Sequence, residues 1–595
     1  MKLVYWLFLS LAFAHGDMED MPMANSDNHD SHNDISDGSN EMSTTGNSVD
    51  SSNMESMASM VPIPHVMKHM HGMPILQTEL LPQERLFWEN YNATNYINYP
   101  NNNKTAMSLY FVFMTISFIF INPILMVINN LNPQSINYLI GLVINSGIAL
   151  FGLFNYSIFI HSIPDLYPGN VFNKFNWIYA VTVIGQLIFT VLKIGYLRQS
   201  QYKSIDQIDS PAITLYDLSR NQSPNSFDLN DDETHIDNSD NDHDERFTND
   251  LSNHLNFVKG KFNVNKIFDN SLISRIIDSV GKISVIVFNI LNWFNFLFIF
   301  VYIPTGIATF GLFGQGKTVF NLLAHFIKGG IFFFLGVISL ARYCGAFQNK
   351  GWAWNYKFIT SESFGWWSKI QPKGLITMEF IESFLIFFYG ITNVFMEHLA
   401  NPGGKWSAKD LEHASIAFIY IGAGFSGLLV EHKLNDWRFD YSKNIDDKSI
   451  IKSSPGFSPN PFPILTIFWT GILMSQHQQA SELSTKIHSQ WGTMFVYGTA
   501  FRFLTYILNL ILSKPPSLDM MIRPSQPITE LLVSFCLISG GMIFMESCDP
   551  IVLALEYKGY DAMFTLNIAL GVTCLLMAWI MVVFQFKNFI KNKYY

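Results

Sequence analysis

The sequence predicts an all-α protein, a polytopic bundle of about eleven membrane-spanning helices carrying long polar appendages. Three observations predict it. The composition is 49% hydrophobic, 15% aromatic and only 14% charged over 595 residues. Apolar runs long enough to cross a hydrocarbon core of ~30 Å recur along the chain. The lysines and arginines between those runs gather in every second loop, as flanking cations do on one side of a bilayer. Mean hydropathy is only +0.18 because two polar stretches dilute the rest: residues 15–70 hold ten acids and one lysine, and residues 199–258 thirteen acids and three bases. The remaining bases are scattered over loops rather than drawn into one stripe, so nucleic acid is not an expected partner. Cys344, Cys536, Cys548 and Cys574 lie in or beside apolar runs without CxxC spacing, which argues for neither a disulfide framework nor a zinc ribbon.

Taken in order, residues 1–14 (MKLVYWLFLSLAFA) read as a secretory signal peptide, with a basic start, a short apolar run and a small-residue end. Cleavage after Ala14 would place His15 at the mature N-terminus, on the lumenal or extracellular side. Residues 15–64 are polar and aperiodic, the composition of a disordered tail. Ten of the 25 methionines fall between Met18 and Met73, among His15, His29, His32, His65, His69 and His71. Thioether and imidazole together suit copper, so His65, His69 and His71 are candidate tail ligands; drift in a low-complexity stretch is the alternative.

At residues 65–91 the sequence tightens to HVMKHMHGMPILQTELLPQERLFWENY. His69, His71, Gly72, Pro74, Ile75 and Leu76, followed by Pro82, Glu84, Arg85 and Trp88, make this stretch resemble the opening module of the fungal Ytp family of transmembrane proteins. The likeness extends over most of the membrane portion. It implies an N-terminal module over 65–198, with three spans, and a C-terminal membrane domain over 280–595, with eight; it implies no particular chemistry. Asn92-Ala-Thr94 is a glycosylation sequon on the side expected to be lumenal.

The apolar runs are 107–128, 136–160, 175–197, 280–303, 318–341, 374–399, 411–430, 461–479, 489–512, 528–547 and 562–586. With the N-terminus lumenal, the cation-rich segments around Lys193–Lys203, Arg342–Lys373 and Lys433–Lys452 and the FKNFIKNKYY end all fall on the cytosolic side. The acidic stretch at 199–279 is then a disordered cytosolic linker, either a solvated spacer or a segment that engages a cytosolic partner. The expected home is a membrane of the secretory pathway: an endomembrane, the vacuole or the plasma membrane.

The stretch from Gly374 to His432 carries the most chemistry. Glu379, Glu382, Asn393 and Glu397 fall within about 60° of one another on one helix face at about 100° per residue. His413, Tyr420, Gly424, Gly427 and Glu431 line up on the next run, whose small residues would let a neighbour approach closely. Charges in hydrocarbon are costly unless paired or wet, so partners must face these stripes. Arg502 lies about 15 Å from the cytosolic end of its run and Glu382 about 12 Å from that of its own. They are expected to pair, with Glu379 and Lys328 as neighbours. The topology also gathers His325, His398, His413, His477, His488 and Glu397 in a lumenal layer. Imidazole and carboxylate suit zinc or copper, whereas capping and interfacial placement would explain the same residues without a metal. Stacked b-type haems need histidine pairs in both leaflets, and the cytosolic half offers only His432; a single lumenal haem is compatible. Gly311–Thr318 spells the phosphate-loop pattern, but between two spans it lacks the strand that the motif requires.

Three functions fit these residues. A small-cation, metal or proton-coupled transporter would use the intramembrane charges and the lumenal His/Glu layer. A membrane oxidoreductase would hold one haem. A non-catalytic organiser or sensor would work through its tail and linker. No Ser-His-Asp arrangement or nucleotide fold is legible, so an enzyme is not the favoured expectation.

Overall fold

A computed structural model describes residues 61–67, 72–208, 271–361, 365–396, 405–406, 408–442, 449–512 and 526–594. The expected signal peptide, nearly all of the tail, His69, His71, Glu397, His398 and residues 209–270 lie outside them, as does the side chain of His413.

The described chain is a helix bundle, as the apolar runs predict. A short helix α1 (Pro82–Glu89) precedes α2 (Lys104–Leu131), α3 (Ile136–His161), α4 (Phe172–Ile208), α5 (Ser271–Phe310) and α6 (Thr318–Tyr343). Strand β1 (Lys357–Thr360) and the single-turn α7 (Trp366–Ile370) lead to α8 (Met378–Met396) and α9 (Ala408–Lys433). After α10 (Asn435–Ser442) and β2 (Ile450–Ser454) come α11 (Phe462–Gln476), α12 (Glu482–Leu512), α13 (Thr529–Glu546), α14 (Asp549–Lys558) and α15 (Ala562–Tyr594). Among the described residues nine helices are long and apolar enough to cross a membrane. The other two predicted runs are α8 and the 15-residue α11. At 1.5 Å per residue α11 covers only about 22 Å; the run stays apolar to Met474, but the helix stops at Gln476 and His477 turns to extended backbone.

Local chemistry sets several of these elements. Asn103 caps α2 by accepting from the Ala106 N–H at 3.0 Å. Midway, Pro123 lacks an N–H and its ring crowds the preceding turn, and the helix absorbs this with a π segment at Ile116–Ile121. The polar stretch expected as a linker over 199–279 is helical at both margins, because α4 runs on to Ile208 and α5 starts at Ser271.

Helices α2–α5 pack together, α5 lying along α4. Farther along the chain α6 packs on α13, α8 on α9, and α12 between α11 and α13. The α6–α13 contact runs backbone to backbone: a Cβ on Gly541 would sit 2.7 Å from the Gly329 carbonyl. The expected close approach of α8 and α9 is present, since a Cβ on Gly424 would meet the Phe387 N–H at 2.4 Å. The described parts of 344–377 and 434–461 fold over one end of these helices. Their β1 and β2 pair antiparallel, Lys357 opposite Ser454, and Trp354 and Phe457 pack with Ile464 and Tyr506 beneath.

The phosphate-loop pattern is a tight turn between α5 and α6. Its Phe313 and Gly314 carbonyls accept from the Tyr167 hydroxyl at 3.1 and 2.6 Å, and a helix rather than a strand precedes it.

Candidate functional site

Beneath the folded cap, five charged side chains converge from four helices. Arg342 stands in the last turn of α6, Glu379 in the first turn of α8 and Glu530 in the first turn of α13. Each therefore sits at the helix end whose partial charge favours it, acids at N-termini and the cation at a C-terminus. Glu382 is three residues beyond Glu379 and shares its face. Arg502 comes from within α12.

Arg502 Nη1 lies 3.5 Å from Glu382 Oε1, and Arg502 Nε lies 2.9 Å from Glu530 Oε1. Arg342 reaches the other side, 3.8 Å from Glu379 Oε1 and 3.9 Å from Glu382 Oε1. Glu382 thus bridges the two guanidiniums. Neutral groups complete the shell: Arg502 Nη2 donates to Ser339 Oγ at 2.8 Å, Arg342 Nε to the Trp352 carbonyl at 2.7 Å, and Tyr506 to Glu379 Oε1 at 3.2 Å. The Trp354 ring covers both cations, 4.4 Å from Arg342 Cζ and 5.4 Å from Arg502 Cζ, within cation–π range. Arg342, Glu379 and Glu530 are 0% exposed and Arg502 6%.

The pairing distances are ion-pair distances rather than well-aligned hydrogen bonds. Among the described residues Glu379 Oε2, both Glu530 oxygens and the terminal nitrogens of Arg342 have no aligned partner. The formal balance is uneven, three carboxyls against two guanidiniums. A second pair stands beside it: Arg438 Nη1 meets Glu431 Oε2 at 2.8 Å, and Thr377 and Asn460 donate to the same carboxylate at 2.8 and 3.1 Å.

The other predicted residues are distributed differently. Among the described residues Lys328 forms no ion pair with Glu379 or Glu382 and lies instead in electrostatic reach of Tyr420. Glu382 is only four residues, about 6 Å, inside α8, because that helix begins at Met378 rather than Gly374. The charge cluster therefore sits toward the capped end and not at mid-span. Of the lumenal layer, His325 and His488 come together, ring centroids 5.8 Å apart and edge to face. Each Nδ1 meets the carbonyl four residues back, Asn321 or Ser484, at 2.8 Å. A carbonyl only accepts, so both Nδ1 atoms carry the proton and Nε2 is the coordinating nitrogen of each ring. His477 caps α11. Among the described residues no three His, Cys, Asp or Glu side chains converge as a metal would need.

At the opposite end from the cap, the Ytp-like opening module is clasped onto α14. Glu84 accepts from the Val66, Met67 and Leu81 N–H groups at 2.8, 3.0 and 3.0 Å. Trp88 donates to the Pro64 carbonyl, and His65 Nε2 lies 3.4 Å from Glu556 Oε2. Asn92 is exposed in the loop after α1.

Arg342, Glu530 and Trp354 escaped the sequence reading. Arg342 counts there only as a loop cation and Glu530 is not singled out; each stands one residue from a helix end. Trp354 belongs to a loop with no periodicity.

Residues 298–588 match the family described as Protein YTP1-like, C-terminal, and residues 90–195 match a domain of unknown function. An uncharacterised membrane protein of Saccharomyces cerevisiae is 38% identical over 586 residues, 90% of this chain and 91% of its own length. An uncharacterised membrane protein of Schizosaccharomyces pombe is 40% identical over 46% of this chain and 53% of its own. Protein YTP1 of Saccharomyces cerevisiae is 24% identical over 36% of this chain and 40% of its own. No solved structure matches. All five members of the charge cluster fall inside the 298–588 match, and the full-length relative extends it over both parts of the bundle: the chain belongs to the YTP1-like family of integral membrane proteins.

Proposed function

We propose that this protein is a proton-coupled carrier of a small cation in a membrane of the secretory pathway, with the capped end cytosolic and Asn92 glycosylated in the lumen. One observation carries the reading: three carboxyls, two of them fully buried and that of Glu382 10% exposed, face two buried guanidiniums. Full ionisation would leave one uncompensated negative charge in a dry site, and a proton or a small cation completes the balance. A group that must be neutralised to be stable, held at the end of four helices, is what a coupled carrier needs.

The test is flux. Purified protein in liposomes, loaded with a pH-sensitive dye and given a gradient of K⁺ or Zn²⁺, should move protons faster than protein-free liposomes. No flux with any cation tried, at verified protein density, contradicts the carrier reading.

A second reading rests on His325 and His488. Two neighbouring imidazoles with both Nδ1 atoms anchored on backbone match half of a metal or haem site. Glu397, His398 and His413 belong to the same expected layer. A Soret band in the purified protein, lost in His488→Ala, would favour an oxidoreductase.

A further inference from the structure

We infer that the cap carries a binding site for the headgroup of an anionic phospholipid, built by Lys350 and Lys357 and seated by the exposed tryptophans of α7. The site is a cavity of about 170 Å³ whose lining includes Lys350, Lys357, Trp352, Trp367, Ser368 and Gln371. Among the described residues no acid lines it. The segment 344–377 holds Lys350, Lys357, Lys369 and Lys373 against one acid, Glu362, which lies outside the described residues. Neither Lys350 nor Lys357 meets a carboxylate among the described residues, and Lys350 Nζ lies 5.9 Å from the Trp367 ring centroid. The cavity is therefore a cationic recess that fits a phosphate.

The membrane identifies the source of that phosphate. The segment is bounded by α6 and α8, so it is held at the bilayer surface. There α7 exposes 74% of Trp366, 47% of Trp367 and 58% of Ile370. Apolar side chains of this size on a five-residue helix have no packing role, whereas indole rings prefer the headgroup layer and lysines beside them attract anionic lipids. The floor of the recess is fixed rather than loose: Lys452 Nζ donates to the Ser368 and Gln371 carbonyls, and Trp352 Nε1 to the Ile376 carbonyl. Trp352 also accepts from Arg342, so the recess and the buried charge cluster share a residue.

The experiment uses the full-length protein in neutral detergent, with thermal melting followed against added phosphatidylserine, phosphatidylcholine or inorganic phosphate. Phosphatidylserine should raise the melting temperature saturably and phosphatidylcholine should not. Lys350→Gln with Lys357→Gln should raise the half-saturating concentration about twenty-five-fold, roughly fivefold for each lysine. Lys558→Gln, an exposed lysine at the other end, should change nothing. Trp366→Ala with Trp367→Ala should also weaken the response. Equal responses to the two lipids, or an unaltered response in the lysine pair, overturn the site. An equal response to inorganic phosphate, or an unaltered one in the tryptophan pair, overturns a lipid as its occupant.

Discussion

The bundle holds two buried polar regions that solve the same problem with different chemistry. In α2–α5 the polar seam is built mostly of amides and hydroxyls. Tyr302 donates to Asn176 at 2.5 Å and accepts from Tyr110 at 2.8 Å; Gln186 donates to Asn292 at 3.0 Å and accepts from Asn295 at 2.7 Å. Lys193 is the one cation there among the described residues, donating to Asn129 at 2.8 Å and lying 3.8 Å from the Phe288 ring centroid. Under the cap the groups are ions, unequal in number and held at ion-pair distances. Amide and hydroxyl networks fix which helix faces which, at modest cost and with no proton to exchange. A charged cluster with one carboxyl in surplus is expensive to keep, and that expense points to use. On the proposed carrier reading, the first region serves architecture and the second handles charge.

The largest effect expected from breaking this contrast is at Arg502. Arg502→Leu strands Glu530 and leaves Glu382 only its longer contact with Arg342, and should cost about 3–5 kcal/mol, seen as loss of folded protein by size-exclusion yield. Adding Glu382→Gln should restore only part of the yield, because Glu530 stays unpaired; adding Glu530→Gln as well should restore more. A triple variant no better than Arg502→Leu alone would mean that the cluster is not an electrostatic unit.

In the α2–α5 seam, Gln186→Leu leaves Tyr138, Asn292 and Asn295 short of partners and should cost about 1–3 kcal/mol by thermal melting. The flux per folded molecule should be unchanged. A loss of flux there would erase the division of labour between the two regions.

The smallest effect concerns the clasp at the end opposite the cap. Burial pushes the Glu556 carboxyl up from 4.5 to about 7, with Ser481 opposing weakly. The folded state then holds this proton more tightly than the unfolded one. The stabilisation is complete below about pH 4.5, declines as pH rises toward about 7 and is gone above it. His65 faces the carboxylate, and Tyr91 and Tyr557 lie close by. Amide exchange in residues 61–67 and 72–77 should therefore speed up from pH 5 to pH 8, and Glu556→Gln should flatten the change. A slope that survives in the variant assigns it elsewhere.

The sequence made the helices legible because apolar runs and cation-rich loops are one-dimensional signals. Glu382 and Arg502 were legible as partners because both lie inside apolar runs, where a charge has few ways to be satisfied. Arg342 and Glu530 were not, since a charge one residue from a helix end reads as part of a loop. Trp354 could not be found at all: its place over two guanidiniums depends on a left-handed backbone at φ 56° and on a cap joined across about a hundred residues of sequence. The histidine layer shows the converse limit. Topology sorts residues by depth but not around the bundle, and only His325 and His488 are brought together, edge to face, among those described.

The surplus carboxyl is central, and Glu379 is loosely paired: its nearest guanidinium, Arg342, is 3.8 Å away, and one of its oxygens lacks an aligned partner among the described residues. Glu379→Gln keeps the shape and balances the cluster at two against two. Measured side by side for melting temperature and for cation-driven proton flux in liposomes, this variant should melt at or above the wild-type temperature while its flux falls to the protein-free level. A variant that carries protons at the wild-type rate would contradict the assignment of charge handling to this cluster.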